Sequence, residues 1–260
     1  MRILACGASH RGNVRAHNED NILVDGKFRQ SLDEDKVFIR SDRSEGPYTY
    51  GVFDGLGGEA YGEQASLIGA LGLCEMDRRD LVKDVEEYIS AVNKSIINEA
   101  ATKETRTIGT TAAVLHIENE KALIFNVGDS RVYLLRNGEI VILSKDHTVV
   151  QSMIDCGFLK EEDRTSNSHA GELTQYLGMT TEDGIEPAAY IEEIDVLDGD
   201  IFLLCSDGLY GELSTDEIRD YLEKEKNSEV KEITLKLMNL ALKKKALDNI
   251  SVIICKAIEE

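Results

Sequence analysis

Residues Gly109 to Leu143 read GTTAAVLHIENEKALIFNVGDSRVYLLRNGEIVIL. Four short apolar runs are separated by Glu118-Asn119-Glu120, Gly128-Asp129-Ser130 and Asn137-Gly138. Asn-Gly between apolar runs marks a hairpin, because a type I′ turn needs positive φ at both central residues. The spacing predicts four strands joined by tight turns as an antiparallel meander. Working outward, further strands are expected at Ile3 to Ser9, Asn21 to Asp25, Tyr48 to Phe53, Ile201 to Ser206 and Ile250 to Cys255, all rich in Val, Ile, Leu and Phe.

Helices interrupt these runs. LVKDVEEYISAVNKSIINEA places Val85, Ile89, Val92 and Ile96 on one helical face, and VKEITLKLMNLAL does the same with Val230, Ile233, Leu237 and Ala241. Ser214 with Glu217 forms a capping box ahead of Ile218 and Leu222. The stretch EAYGEQASLIGALGLCEM is helical in pattern but carries Gly62, Gly69 and Gly72, which implies close backbone packing against a sheet or a partner helix. Asp25 to Gly46 and Lys160 to Gly171 read as loose. Two helices come before the meander and the others after it, so two antiparallel sheets with helices packed outside are expected, an α+β fold in four α-β-β-α layers.

At 260 residues with two prolines and no repeat or low-complexity tract, the chain is expected to form a single domain over residues 1–260. The formal charge of −20 repels a nucleic-acid backbone and an anionic membrane alike, which excludes DNA or RNA as a partner class. Five cysteines, none in CxxC spacing, read as reduced residues, with Cys6, Cys205 and Cys255 inside strands. No apolar run reaches the ~18 residues of a membrane span, and the first residues lack a signal-peptide core, so a cytoplasmic protein is expected.

Carboxylates recur at strand ends. Asp54 follows YTYGVF and precedes glycines at 55, 57, 58 and 62; Asp207 follows IFLLCS and precedes Gly208. Asp129 lies in a turn, Asp248 precedes NISVIIC, and Glu19 with Asp20 precedes NILV. One turn aspartate is commonplace, and six at strand ends call for a cation, because converging charges repel by roughly 1–4 kcal/mol per pair. All the candidates are oxygen donors, which selects Mg²⁺, Mn²⁺ or Ca²⁺ over zinc. A glycine after Asp54 lets its own carbonyl approach an ion. Two ions sharing a carboxylate ~3.5–4 Å apart acidify a water toward a pKa of ~7 for in-line attack on phosphorus. Arg15, four residues before Glu19, is the best placed guanidinium for the phosphoryl oxygens.

RGNVRAHNEDN, GVFDGLGGEAYGE, GTTAAVL, FNVGDSRVYLL, LSKDHTVVQSMIDCG, LLCSDGL and DNISVII, in that order, resemble the motifs of the metal-dependent protein Ser/Thr phosphatases of type 2C in their compact bacterial form. The resemblance implies a β-sandwich flanked by helix pairs, with a binuclear Mn²⁺/Mg²⁺ centre at one edge. By motif, Asp54 would bridge the two ions, Gly55 would offer its carbonyl to one, and Asp207 and Asp248 would ligate the other. Glu19, through water, and Asp20 would support the centre, Arg15 would bind phosphate, and Asp129 would share a weaker third metal with Asp207. The implied reaction is hydrolysis of phosphoserine and phosphothreonine monoesters by metal-activated water, without a phosphoenzyme. Its substrates would be phosphoproteins made by a Ser/Thr kinase, acted on by a monomer.

Two departures stand out. Some relatives carry a histidine after the Asp-Gly pair where this chain has Leu56, so the leaving-group proton is assigned to water; His147, in KDHT, reads as structural. The flap-like segment expected at about 147–186 has Gln175 in LTQYLG where arginine is usual, and its polar run Asp163 to Glu172 is a candidate for mobility. Three other readings stay open: a nucleotide-binding loop at DGLGGEAYGE, a catalytically silent module of the same fold, and a phosphatase dedicated to one regulatory phosphoprotein.

Overall fold

The computed structural model describes residues 1–32, 34–56, 61–76, 81–103, 108–180 and 186–259. The strands in chain order begin with β1 (Arg2–His10), β2 (Asn21–Val24), β3 (Lys27–Phe28), β4 (Lys36–Ser41) and β5 (Tyr48–Phe53). Two-residue strands β6 (Gly55–Leu56) and β7 (Gly109–Thr110) pair with each other. There follow β8 (Ala112–Glu118), β9 (Lys121–Val127), β10 (Arg131–Arg136), β11 (Glu139–Ile142), β12 (Tyr190–Asp195), β13 (Ile201–Cys205) and β14 (Ile250–Ile258). The α-helices among the described residues are α1 (Gly62–Glu75), α2 (Leu81–Thr102), α3 (Val149–Asp155), α4 (Asp207–Tyr210), α5 (Thr215–Glu225) and α6 (Val230–Leu242).

Twelve strands form two six-stranded antiparallel sheets, ordered β11-β10-β13-β14-β1-β4 and β12-β9-β8-β5-β2-β3. Ile22, Tyr50, Leu115 and Ile124 from one sheet meet Val132, Phe202, Leu204 and Ile253 from the other. Outside, α1 and α2 lay Leu73, Ile89, Val92 and Ile96 on Phe53, Val114 and Phe125, while α5 and α6 lay Ile218, Leu222, Ile233 and Leu237 on Tyr133, Leu203 and Ile254. The four layers agree with the sequence expectation. The glycines of α1 serve both forms of close packing: a Cβ on Gly69 would stand 2.9 Å from the Phe53 ring, and one on Gly72 would meet Val92 of α2. Asn119-Glu120 and Asn137-Gly138 are two-residue turns with positive φ throughout, and Ser214 and Glu217 make the reciprocal capping box.

The meander needs correction. β9 pairs with β8 and β12, whereas β10 pairs with β11 and β13, so the chain changes sheets at Gly128-Asp129-Ser130. Gly128, at φ 95°, makes that crossing, and a side chain there would strike Thr111. Apolar runs look alike whether they pair edge to edge or face each other across a core, which is why spacing alone misplaced the partners. The supposedly loose Asp25 to Gly46 contains β3 and β4, edge strands whose charged, half-exposed residues mask them. Lys160 to Gly171 begins with a 3-10 helix, Glu161–Ser166. No described helix is long and apolar enough to cross a membrane.

Candidate metal centre

The ends of both sheets meet at one edge of the sandwich. Asp54 arrives from β5, and its backbone is fully occupied: its N–H donates to Thr111 Oγ1 (3.0 Å), and its carbonyl accepts from Thr111 N–H (2.9 Å) and Thr110 Oγ1 (3.0 Å). Only the carboxyl is left outside this clamp, where it faces Asp207. Gly55 sits where three chain segments converge, and a Cβ there would collide with the carbonyl oxygens of Glu19 and Gly62. Gly57 and Gly58 lie outside the described residues.

Asp20 is fully buried and fastens the two sheets together. Its Oδ2 accepts hydrogen bonds from Ser206 Oγ (2.8 Å) and Ser251 Oγ (2.7 Å), and Ser251 Oγ also reaches Ser9 Oγ (2.8 Å). Asn18 completes the cradle, its Nδ2 donating to Ser9 Oγ and its Oδ1 accepting from Asp20 N–H. The neighbouring Glu19 donates its N–H to Asn249 Oδ1 (2.8 Å), while Asn249 Nδ2 holds the carbonyls of Arg11 and His17 at 2.9 Å. These serines and asparagines escaped the sequence reading. Their signal was present as single polar residues inside apolar strand ends, at Ser9, Ser206 and Ser251.

Electrostatics ties the acids into one group. Burial, then the charges of Asp20, Asp207, Asp129 and Asp248, hold the Asp54 carboxyl well above the usual range. Burial followed by Asp248 and Asp20 pushes Asp207 up to about 6, and the Asp54 carboxyl hydrogen-bonds to it. Burial first, with like charges adding, brings Asp20 and Asp129 to about 7. Glu19 is also raised, by burial and by Glu63. Arg15 reaches the cluster through Asp248, with Nη2 to Oδ2 at 2.6 Å. Asp129 lies in the sheet-crossing turn and accepts a hydrogen bond from Tyr210 OH at 3.1 Å.

The chemistry of the donors fits hard divalent cations. All are oxygens, Oδ1 of Asp20 and Oδ1 of Asp207 are buried without a hydrogen-bond partner, and the Gly55 cradle admits no side chain. Among the described residues, no group of three or more His, Cys, Asp or Glu is closed up around an ion position.

The remaining expected positions are also clear. His147 and Gly128 exchange hydrogen bonds, N–H to carbonyl at 2.9 Å and Gly128 N–H to Nδ1 at 3.3 Å, so this histidine braces the crossing turn. Gln175 Oε1 accepts from Ala188 N–H. Arg164 anchors its segment to Gln151 at 2.6 Å and to Asp146 at 3.3 Å. Asp146 in turn holds Arg131 bidentately at 3.0 and 2.6 Å, and the Arg131 guanidinium stacks 3.9 Å above the Tyr210 ring.

Known proteins share this fold. PhpP, a protein phosphatase of Streptococcus pneumoniae, is 32% identical over 249 residues, covering 93% of this chain and 98% of its own. PstP, a serine/threonine protein phosphatase of Mycobacterium tuberculosis, is 30% identical over 256 residues, covering 96% of this chain; the match spans 44% of the length of PstP. Two crystal structures of PstP, one of them of its catalytic domain with two manganese ions, superpose with TM-scores of 0.83 and 0.77 at 28% identity, covering at least 99% of each chain. The family model for protein phosphatase 2C matches residues 4–153. With the same fold from end to end and a family match over more than half its length, the chain belongs to the protein phosphatase 2C family.

Proposed function

We propose that the chain is a metal-dependent protein Ser/Thr phosphatase in which Asp54, Gly55, Asp207 and Asp248 hold two Mn²⁺ or Mg²⁺ ions. Asp54 would be shared between the ions, Glu19 would act through water, Asp20 would support the centre, and Asp129 with Asp207 would hold a third, weaker ion. The observation that carries this reading is the convergence of raised carboxyls around the orphaned Oδ1 atoms of Asp20 and Asp207. PstP crystallised with two manganese ions lends it support.

Divalent ions in such a site supply Lewis-acid charge and a water acidified toward neutrality. The chain's own residues do the rest. Arg15 orients the phosphoryl group by donating from its guanidinium to phosphate oxygens, a geometry suited to two parallel hydrogen bonds. The Thr110–Thr111 clamp on the Asp54 backbone keeps that carboxyl fixed while charge develops around it. Leu56 has no proton to give, so the departing alkoxide takes its proton from water. Residues 1–260 act as a single domain with a flap-like segment at about 147–186, working as a cytoplasmic monomer on phosphoproteins made by a Ser/Thr kinase. Hydrolysis of a phosphothreonine peptide should require Mn²⁺, stop with chelator, and fall at least a hundredfold in Asp207→Ala, a loss of ~3 kcal/mol in transition-state stabilisation. Turnover that survives chelation or that substitution overturns the reading.

A further inference from the structure

Two loops form a rim beside the acid cluster: residues 10–17 around the β1–β2 connection, and residues 243–248 between α6 and β14. Asn13 sews them together, its N–H donating to Ala246 O and its Nδ2 to Leu242 O, both at 2.9 Å. Gly12, at φ 79°, lies against the Asp248 backbone, and the Arg15–Asp248 ion pair bridges the loops at 2.6 Å.

This rim has the opposite sign from the molecule that carries it. Its two segments hold Arg11, Arg15, Lys243, Lys244 and Lys245 against the single acid Asp248, in a chain of net charge −20. Arg15 is committed to the site, Lys244 binds Glu217 at 2.8 Å and Arg11 pairs with Asp35 at 3.6 Å. The Glu212 carboxylate also lies at the rim, accepting from the Lys245 backbone N–H at 3.2 Å, while the Lys243 and Lys245 side chains are exposed and neither has an ion pair among the described residues. Beside them, Val14 is 65% and Leu247 56% exposed, each adjoining in sequence one member of the Arg15–Asp248 bridge. The part of the site around Asp129 and Asp207 differs. It is a cleft of about 540 Å³ bounded by Asp129, Asp146, Glu161 and Asp207, where Arg131 and Arg164 are already paired with Asp146 and Glu161. The field across the site therefore runs from a basic, partly apolar rim to an acidic cleft.

We infer that Val14, Lys243, Lys245 and Leu247 form a docking surface for the acidic stretch beside the phosphorylated residue of a phosphoprotein. The inference rests on the phosphatase reading for the occupant and on charge complementarity for its chemistry. Free cations on an otherwise anionic protein attract carboxylates locally, and the two apolar side chains give a neighbouring aliphatic residue something to cover. A nucleic-acid backbone would run past the rim onto the surface of a chain of net charge −20 and is disfavoured, whereas a short acidic stretch meets the rim's cations alone.

The test uses the Mn²⁺-loaded protein and two fluorescent peptides of equal length carrying a non-hydrolysable phosphonate analogue of phosphothreonine. One peptide is flanked by glutamates and the other by lysines. Binding is read by anisotropy, and turnover is measured on the matching phosphothreonine peptides and on p-nitrophenyl phosphate. Exposed charge pairs contribute up to about fivefold each, so the double variant Lys243→Glu with Lys245→Glu should weaken the glutamate peptide about tenfold. It should strengthen the lysine peptide and leave p-nitrophenyl phosphate turnover within twofold. Both changes should shrink in 0.5 M salt, where screening acts within ~4–5 Å. Charge-dependent binding without turnover upholds the rim and sinks the phosphatase reading. Turnover with no difference between the peptides, or equal losses on peptide and p-nitrophenyl phosphate, overturns the rim alone. Co-sedimentation with phosphatidylserine vesicles that the double variant abolishes would assign the rim to a membrane and overturn the inference.

Discussion

Without divalent cations, protons decide how stable the acid cluster leaves the fold. Asp207 is pushed up to about 6 and Asp20 and Asp129 to about 7, by burial first and by one another's charge second. The unfolded carboxyls titrate near ~3.9. Between about pH 4 and pH 7 the folded cluster holds protons that the unfolded chain has released, so stability falls as pH rises through that window. A shift of roughly two units is worth ~3 kcal/mol, and because the coupled groups share protons the cluster loses on the order of 3–6 kcal/mol as a whole. At ~2.1 cal/mol/K per residue, a chain of 260 residues unfolds with about 0.55 kcal/mol/K, so the loss is ~5–10 °C in Tm. His10 and His147, both lowered by burial, act in the opposite direction, adding stability as pH rises to about 6.5. Comparison with Asp54→Asn cancels them. Calorimetry in chelator at pH 5, 6.5 and 8 should show wild type losing ~5–10 °C across the series and losing more than Asp54→Asn, which keeps Asp20, Asp129 and Asp207 but lacks the fourth buried carboxyl, with the variant the more stable of the two at pH 8. Mn²⁺ should invert that order, because cations replace the lost protons at the ligands. A chelated wild type whose Tm tracks that of Asp54→Asn across the series would refute mutual repulsion, and with it the convergence of these acids.

Two further perturbations leave the proposed ligands in place. Asp146→Asn strips the bidentate partner from Arg131, itself only 9% exposed, and should cost about 3–5 kcal/mol, read as a lower urea midpoint at unchanged m-value. Ser214→Ala removes the α5 capping box and should cost ~1 kcal/mol, lowering Tm by about 2 °C while turnover stays at the wild-type level.

Local chemistry was legible and long-range partnership less so. Asn137-Gly138, Ser214 with Glu217, and the helical face of Ile89, Val92 and Ile96 all act within a few residues, and the structure has each where the pattern put it. Asp54, Asp207 and Asp248 were visible because an acid at the end of an apolar run is locally conspicuous. The crossing at Gly128-Asp129-Ser130 was not visible, since pairing depends on which distant strand lies alongside. β4 and β12 were hidden for a related reason: an edge strand exposed on one side carries residues such as Arg40, Glu192 and Glu193 that read as loop. The serine cradle of Asp20 was hidden because Ser9, Ser206 and Ser251 stand far apart in the chain, and only the packed sheets bring them together.

Asp54 and Asp20 belong to one sheet of the sandwich, whereas Asp207, Asp248 and the serines that hold Asp20 belong to the other. Neither sheet alone carries the full set. A cation held by these residues would therefore not nucleate this fold from either half; it would find its oxygens only after the two sheets have closed, and would then work as a rivet between them. Metal should slow unfolding without hastening folding, so that in a chevron plot the ion moves the unfolding limb and leaves the refolding limb where it was.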